Sequence, residues 1–336
     1  MATPMLPAGV QAEVGRRLAG VSRTALADAA ERLSRRYRDG RASAEAVHGD
    51  MALLAYLVTR LPATYAAATR VLGEVARRAP QFAPASLLDL GAGCGAATLA
   101  AQAVWPSLER FDLVDGHAGL RAAAEHLTAA AGLDPQAVHI AAGDLRRLPA
   151  HGGAADVVTL SYVLAELSDT EIAGVLAAAR ARTAGCLVIV EPGTPAGFAR
   201  IRQARDVLRA SGLHILAPCP HGAPCPMVEP DWCHFSVRLP RSRDHRLAKR
   251  ADAPFEDEKF SYVAAATDAL AGEPAAARVL SPPLVTKADA TLRLCTERGI
   301  AVRRIPHRDK TGYKTARKLS WGDATDAPDD MERPTR

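Results

Sequence analysis

Residues 86–101, SLLDLGAGCGAATLAA, constrain this chain more than any other stretch. Leu87, Leu88 and Leu90 form a short apolar run suited to a strand buried on both faces of a parallel sheet. Gly91, Gly93 and Gly95 follow, and the small residues from Ala96 onward read as a tightly packed helix. Strand, glycine turn and helix make the first unit of a nucleotide-binding α/β sheet. Glycines let the backbone turn sharply and approach a ligand where any Cβ would collide. The spacing is D-L-G-x-G-x-G, with Asp89 inside the strand end. It is neither the dinucleotide fingerprint G-x-G-x-x-G nor a P-loop, which needs Gly-Lys-Ser/Thr.

This turn resembles motif I of class I S-adenosylmethionine-dependent methyltransferases. The resemblance implies a loop passing under the methionine part of the cofactor, with Asp89 helping to hold its amino group. The α/β rhythm continues beyond it. A second strand over 110–114 ends at Asp115, placed to accept hydrogen bonds from ribose hydroxyls. A helix is expected over 120–131 and a third strand over 138–142. The Gly-Asp-Leu that follows puts Asp144, with Leu145 beside it, where methyltransferases of this class contact the adenine amino group. The fourth strand starts at Asp156 and carries Ser161 and Tyr162 at its end. The fifth starts at Cys186 and closes on Glu191, Pro192 and Gly193. Ligands of open α/β sheets bind beyond the carboxyl ends of the strands, where these polar residues fall. The expected cofactor site is therefore Asp89, Gly91, Gly93, Gly95, Asp115, Asp144, Leu145 and Ser161. No Asn-Pro-Pro-Tyr or Asp-Pro-Pro-Tyr follows the fourth strand, and that strand has no cysteine for a Pro-Cys nucleophile. The sequence supports cofactor binding more than methyl transfer and nominates no catalytic base.

The chain has 336 residues, of which 48% are hydrophobic and only 4% aromatic, so its cores must be built from Leu, Val and Ala. Residues 1–84 read as a helical segment, with apolar spacing over 12–36 and 51–78 and arginines on the other face. Pro62 should end or kink a helix near Leu61, and Arg60 and Tyr65 beside it are candidates to reach a cofactor or RNA. A Rossmann-like core over 85–215, a cysteine-bearing region over 216–322 and a disordered tail over 323–336 complete the division. No run of 18 apolar residues suggests a membrane span, and the start lacks a secretory signal. Six cysteines without an export signal point to a reducing compartment, so a cytoplasmic monomer is expected.

The second informative stretch is APCPHGAPCPMVEPDWCHFSVRLPRS, where Cys219, Cys225 and Cys233 are spaced C-x5-C-x7-C. Prolines and glycine make it a loop, and three thiolates converging on a metal would organise it. The spacing is wider than usual zinc pairs and matches no common ferredoxin, so the metal type stays open. The fourth ligand could be Cys295, in the strand-like TLRLCT, or His221 or His234. Cys94 and Cys186 look like small buried packing residues.

Taken with AYLVTRLPATYAA, VEPGTP, PFEDEKFSYVA and ARKLSWGD, this segment resembles the Rsm-twenty-two family of methyltransferase-like proteins associated with the mitochondrial small ribosomal subunit, over roughly residues 50–322. That resemblance implies a [4Fe–4S] cluster held by Cys219, Cys225, Cys233 and Cys295, with zinc as the alternative. It also implies small-subunit ribosomal RNA or a pre-ribosomal particle as partner. The C-terminal composition agrees with an RNA partner. Between residues 303 and 318, Arg303, Arg304, Arg308, Lys310, Lys314, Arg317 and Lys318 face only Asp309 in charge, with Tyr313 and Trp321 available to stack on bases. A solvated basic surface is the plainer reading of the same run. Three functions are in play. The first is an S-adenosylmethionine-dependent ribosomal RNA methyltransferase. The second is a non-catalytic assembly factor using the cofactor structurally. The third is a small-molecule methyltransferase with a zinc-stabilised lid.

Overall fold

The computed structural model describes residues 4–38, 47–148, 153–270 and 272–325. Helices α1 (Ala8–Arg17), α2 (Arg23–Arg38), α3 (Asp50–Thr59) and α4 (Leu61–Arg78) precede the sheet. The pattern over 12–36 is thus two helices, interrupted at Gly20, whose φ of +75° ends the first. The break at Pro62 is present: α3 and α4 meet at 40°. Proline sits in the first turn of α4, where a missing N–H costs nothing. Among the described residues no single helix is long and apolar enough to cross a membrane.

Strands β1 (Ser86–Leu90), β2 (Arg110–Asp115), β3 (Val138–Ala142), β4 (Ala155–Ser161) and β5 (Thr183–Pro192) are parallel and lie in the order β3-β2-β1-β4-β5. All five residues of β1 are buried, as its central place demands. Helices α5 (Ala96–Val104), α6 (Ala118–Ala130), α7 (Asp169–Ala181) and α8 (Pro195–Ala210) make or follow the crossovers. Two apolar clusters fill the two faces, one built on Leu57, Leu72 and Leu99, the other on Leu160, Leu176 and Ile189. The antiparallel strands β6 (His214–Ala217) and β7 (Phe235–Pro240) both join this sheet, and the cysteine loop connects them. They do not pair with β5 directly. Strand β8 (Phe255–Ala266) intervenes, with Ile189 opposite Val263, Ile215 opposite Ala265 and Phe235 opposite Phe260. The order β3-β2-β1-β4-β5-β8-β6 is that of a class I methyltransferase-type α/β sheet. A boundary at 215/216 therefore cuts through β6, because the sheet draws strands from both sides of it.

Beyond the main sheet, β9 (Ala277–Val279), β10 (Leu284–Val285), β11 (Asp289–Thr296), β12 (Gly299–Pro306) and β13 (Ala324–Thr325) form a second sheet. Helix α10 (Lys310–Ala316) packs on it, and Val279, Leu292, Leu294, Ile305 and Tyr313 fill the space between. The disorder expected from residue 323 does not hold at its start, since β13 pairs with β9; residues 326–336 lie outside the described residues.

Candidate functional site

The carboxyl ends of β1 to β5 open into a cavity of about 1130 Å³. Asp89, Gly91, Gly93, Asp115, Asp144, Leu145 and Ser161 all line it. The two lining glycines act differently. A Cβ on Gly91, whose φ is +73°, would stand 2.3 Å from Val163 Cγ1, so Gly91 is needed for packing as well as for the turn. A Cβ on Gly93 would meet only the Tyr56 hydroxyl, at 3.4 Å, so that residue leaves its space to the cavity. Gly95 is not in the lining. It caps α5 in the left-handed conformation, and its Cβ position faces Leu113, Ala124 and Thr128.

Asp89 is 1% exposed, and its two oxygens accept from the hydroxyls of Thr98 (2.8 Å) and Thr159 (2.7 Å). It thereby ties β1 to α5 and β4. Burial pushes its carboxyl up to about 6, against the two threonines and with help from nearby Asp115. Asp115 is similarly engaged: the backbone N–H groups of Gly93 (2.8 Å) and His117 (2.7 Å) donate to its two oxygens. The β2 carboxylate thus holds the glycine turn in place while facing the cavity. His117 caps α6 by accepting from the Leu120 N–H at 3.1 Å through Nδ1, which leaves Nε2 to donate to the Val47 carbonyl at 2.7 Å. That pair of bonds sets the neutral tautomer. Asp144 accepts from the Arg146 N–H at 3.0 Å, and Arg146 also bridges to Glu171 at 2.8 Å.

At the end of β4, Tyr162 follows Ser161 with a φ of +61°, a conformation costly for a bulky residue. Its hydroxyl donates to Glu258 of β8 at 3.1 Å, while Arg60 lies 3.5 Å from the same carboxylate and over the Tyr162 ring. Burial, and then the Glu258 charge, hold the Tyr162 phenol well above its ordinary value. Arg60 reaches the cavity as the sequence suggested. Tyr65 does not; it is buried in the core. Behind the lining, Glu191 is 0% exposed, accepts from the Leu164 N–H at 2.9 Å, and has its Oε2 3.8 Å from Arg200. Burial pushes it up to about 7. Helix α2 and α9 (Arg243–Lys249) roof the cavity, joined by ion pairs from Arg250 to Asp28 and Glu31. His117, Glu258 and Arg200 escape sequence reasoning, since each acquires meaning only from the strand or loop set beside it.

Cysteine residues form the second candidate centre. Burial pushes the Cys219 and Cys233 thiols up and Cys295 to about 12. Cys219 and Cys225 act on one another and on the other two sulfurs. Cys219 and Cys225 of the loop lie within electrostatic reach of Cys295 of β11, and all three within reach of Cys233. His221 Nε2 lies 3.7 Å from the Cys295 sulfur, whereas His234 is stacked on Trp232 and edge-on to Trp321. No three described His, Cys, Asp or Glu residues converge as ligands of one metal ion. Cys94 and Cys186 are buried packing residues, as expected. On the C-terminal basic run, Arg308, Lys310, Lys314, Arg317 and Lys318 are exposed, and Arg304 is paired with Asp289. The stacking role foreseen for Tyr313 does not hold: it is buried, with its hydroxyl donating to the Thr286 carbonyl.

Comparison with known proteins places these features in context. The human ribosome assembly protein METTL17, mitochondrial, is 32% identical over 290 residues, covering 80% of this chain and 61% of the relative. The fission yeast (Schizosaccharomyces pombe) Rsm22-cox11 tandem protein 2, mitochondrial, is 26% identical, covering 82% of this chain and 43% of the relative. The chain thus spans about two fifths to three fifths of the curated relatives it matches. Among solved structures, magnesium protoporphyrin IX methyltransferase from Synechocystis PCC 6803 with bound SAM has a TM-score of 0.39. It is 16% identical and covers 60% of this chain and 80% of its own. The profile of the family described as mitochondrial small ribosomal subunit Rsm22 matches residues 50–326, most of the length that carries both centres, and the chain belongs to that family.

Proposed function

We propose that this protein is an S-adenosylmethionine-binding, methyltransferase-like assembly factor that acts on small-subunit ribosomal RNA in the cytoplasm. The observation that carries the cofactor is the open space over Gly93, bounded by Asp89 and Asp115 in a cavity at the strand ends. A backbone without a Cβ admits close approach, and two carboxylates suit an ammonium group and ribose hydroxyls. The exposed cations of α10 and its flanks suit phosphate. Relatives with assembly and small-subunit names direct the reading toward the ribosome.

At the cysteine centre, the four thiols are the ligand type of a [4Fe–4S] cluster, with zinc as the alternative. Cys219, Cys225, Cys233 and Cys295 would hold it, pinning the proline-rich loop to β11; when bound, such a cluster supplies one-electron redox chemistry and a structural staple.

The reading is tested by titrating S-adenosylmethionine into wild-type protein and Gly93→Val in a calorimeter. Loss of binding in the variant is expected, and unchanged binding refutes this placement. A non-catalytic role is favoured by one observation: the Tyr162 hydroxyl at the β4 end is committed to Glu258. Mass spectrometry of small-subunit RNA with and without the protein separates the two. A vanished methyl mark identifies an enzyme, and unchanged RNA with stalled subunits identifies a factor.

A further inference from the structure

The cavity is larger than its cofactor-type end requires. At about 1130 Å³ it exceeds the roughly 300–1,000 Å³ of a single small-molecule site. Laid out as proposed, the cofactor runs from Asp144 after β3, past Asp115 of β2, to Asp89 of β1, so it covers the β3-β2-β1 side of the strand ends. The lining continues beyond it over β4, β5 and β8, through Tyr162, Arg200 and Glu258, with Arg60 beside them. Glu258 is 8% exposed; the Tyr162 hydroxyl (3.1 Å) and Arg60 (3.5 Å) both meet its Oε1, and its Oε2 receives no hydrogen bond among the described residues. A carboxylate has about four acceptor positions, so Oε2 has capacity for N–H donors. The Tyr162 ring is half-buried, carries the Arg60 guanidinium 5.6 Å from its centroid, and is held at a φ of +61°, strain of the kind that persists where a site requires it. Arg200, its side chain 29% exposed, makes an ion pair of 3.8 Å to Glu191 Oε2. A guanidinium has about five N–H donors, so Arg200 can keep that pair and still meet a second anion from the cavity.

We propose that the β4-β5-β8 end of the cavity is a compartment for one nucleotide of single-stranded RNA, with the base on Tyr162, its N–H groups toward Glu258 and its phosphate at Arg200. This rests on the cofactor placement and the RNA partner proposed above. An aromatic face, an acceptor and a cation in one compartment match the three parts of a nucleotide. Phosphate alone would be repelled by Glu258, and an apolar ligand would leave both charges unmet. A base still stacked in a helix does not reach a cavity roofed by α2 and α9, so the nucleotide is an unpaired or extruded one. Tyr162, its hydroxyl committed to Glu258, is a stacking platform here, so the compartment serves methyl transfer and a non-catalytic grip alike.

The test uses full-length protein saturated with S-adenosylhomocysteine and titrated in a calorimeter with the four ribonucleosides and their 5′-monophosphates. At least one monophosphate is expected to bind without displacing S-adenosylhomocysteine, and about tenfold or more tighter than its nucleoside. Arg200→Gln is expected to erase that difference, and Arg200→Lys, which keeps the charge, to retain most of it. Glu258→Gln is expected to weaken nucleoside and monophosphate alike, and it decides the matter where Arg200→Gln does not fold. The proposal is overturned if no monophosphate binds, if those that bind displace S-adenosylhomocysteine, or if Arg200→Gln (Glu258→Gln in its place) binds them as wild type does. A single-stranded trinucleotide that binds through Arg200 at least as tightly as the monophosphate supports RNA as the source. A trinucleotide that binds more weakly confines the compartment to free nucleotides and overturns the RNA assignment. Wild-type protein that does not bind S-adenosylhomocysteine removes the cofactor placement itself, a failure visible before any nucleotide is added. The nucleotide titrations then proceed on the cofactor-free protein, where dependence on Arg200 and Glu258 decides as before.

Discussion

At the scale of single residues, Asp89 joins stability to pH. Its carboxyl sits near 6 in the folded protein against an ordinary value of 3.8. Between those values the folded state binds more proton than the unfolded chain, so raising the pH from about 4 to 6 removes stability, on the order of 2–3 kcal/mol. Asp89→Asn keeps the shape and can still bond both threonines. Urea unfolding at pH 4 and pH 6.5 is expected to show wild type losing stability relative to the variant, and parallel profiles would contradict this. The glycine-turn variant Gly91→Ala is expected to lose 1–3 kcal/mol, because its Cβ would strike Val163 from a backbone conformation unsuited to alanine; thermal unfolding checks it. Asp89 and the glycines were legible in the sequence as a group, because chemistry and spacing are local. Their division of labour was not. Thr159, which fixes Asp89, lies 70 residues away, and Gly95 looks like its two neighbours until Leu113 and Thr128 are set beside it.

Elements show the same limit at longer range. The parallel strands could be read because each is an apolar run closed by a polar or glycine signal, and Pro62 marks its break directly. Strand β8 could not. Its first half, FEDEKF, is charged where it pairs with β7 alone, while its second half, buried between β5 and β6, is apolar. One strand with two environments carries no single period. Helix α8 reaches from the cavity to the cysteine loop: Thr194 at its N-cap and Arg200 line the cavity, and Arg205 donates to the His221 and Ala223 carbonyls. The corresponding tie through the second sheet is Arg278, 1% exposed, which joins β9 to Glu74 of α4. Burial would raise the Glu74 carboxyl, but Arg278 and Arg77 outweigh it and hold it below its ordinary range. Removing one partner strands a buried charge, so Arg278→Met is expected to cost about 3–5 kcal/mol. Replacing both, as Arg278→Met with Glu74→Leu, is expected to recover much of that in chemical denaturation. Additive losses would show that the two do not act as a pair.

For the whole molecule, the cysteine loop ties the main sheet to the small second sheet, through Arg278 to the Pro218 carbonyl and Arg293 to Asp231. The basic run was legible as a charge count, but which of its cations is held in an ion pair was not. Arg304 is paired with Asp289 and Tyr313 belongs to the core, whereas Arg308, Lys310 and Lys314 stand exposed on and beside α10. A cation not already ion-paired displaces counterions from phosphate on binding. Replacing Arg308, Lys310 and Lys314 with Gln should therefore weaken binding of a small-subunit RNA fragment. It should also reduce the slope of log K against log salt by roughly 2–3, one counterion per lost contact. Arg304→Gln is expected to change that slope little, because its guanidinium already has a carboxylate partner. Filter binding between low and physiological salt measures both. An unchanged slope in the triple variant assigns this face to solvent, and an equal loss from Arg304→Gln alone means that the Asp289 pair opens when RNA binds.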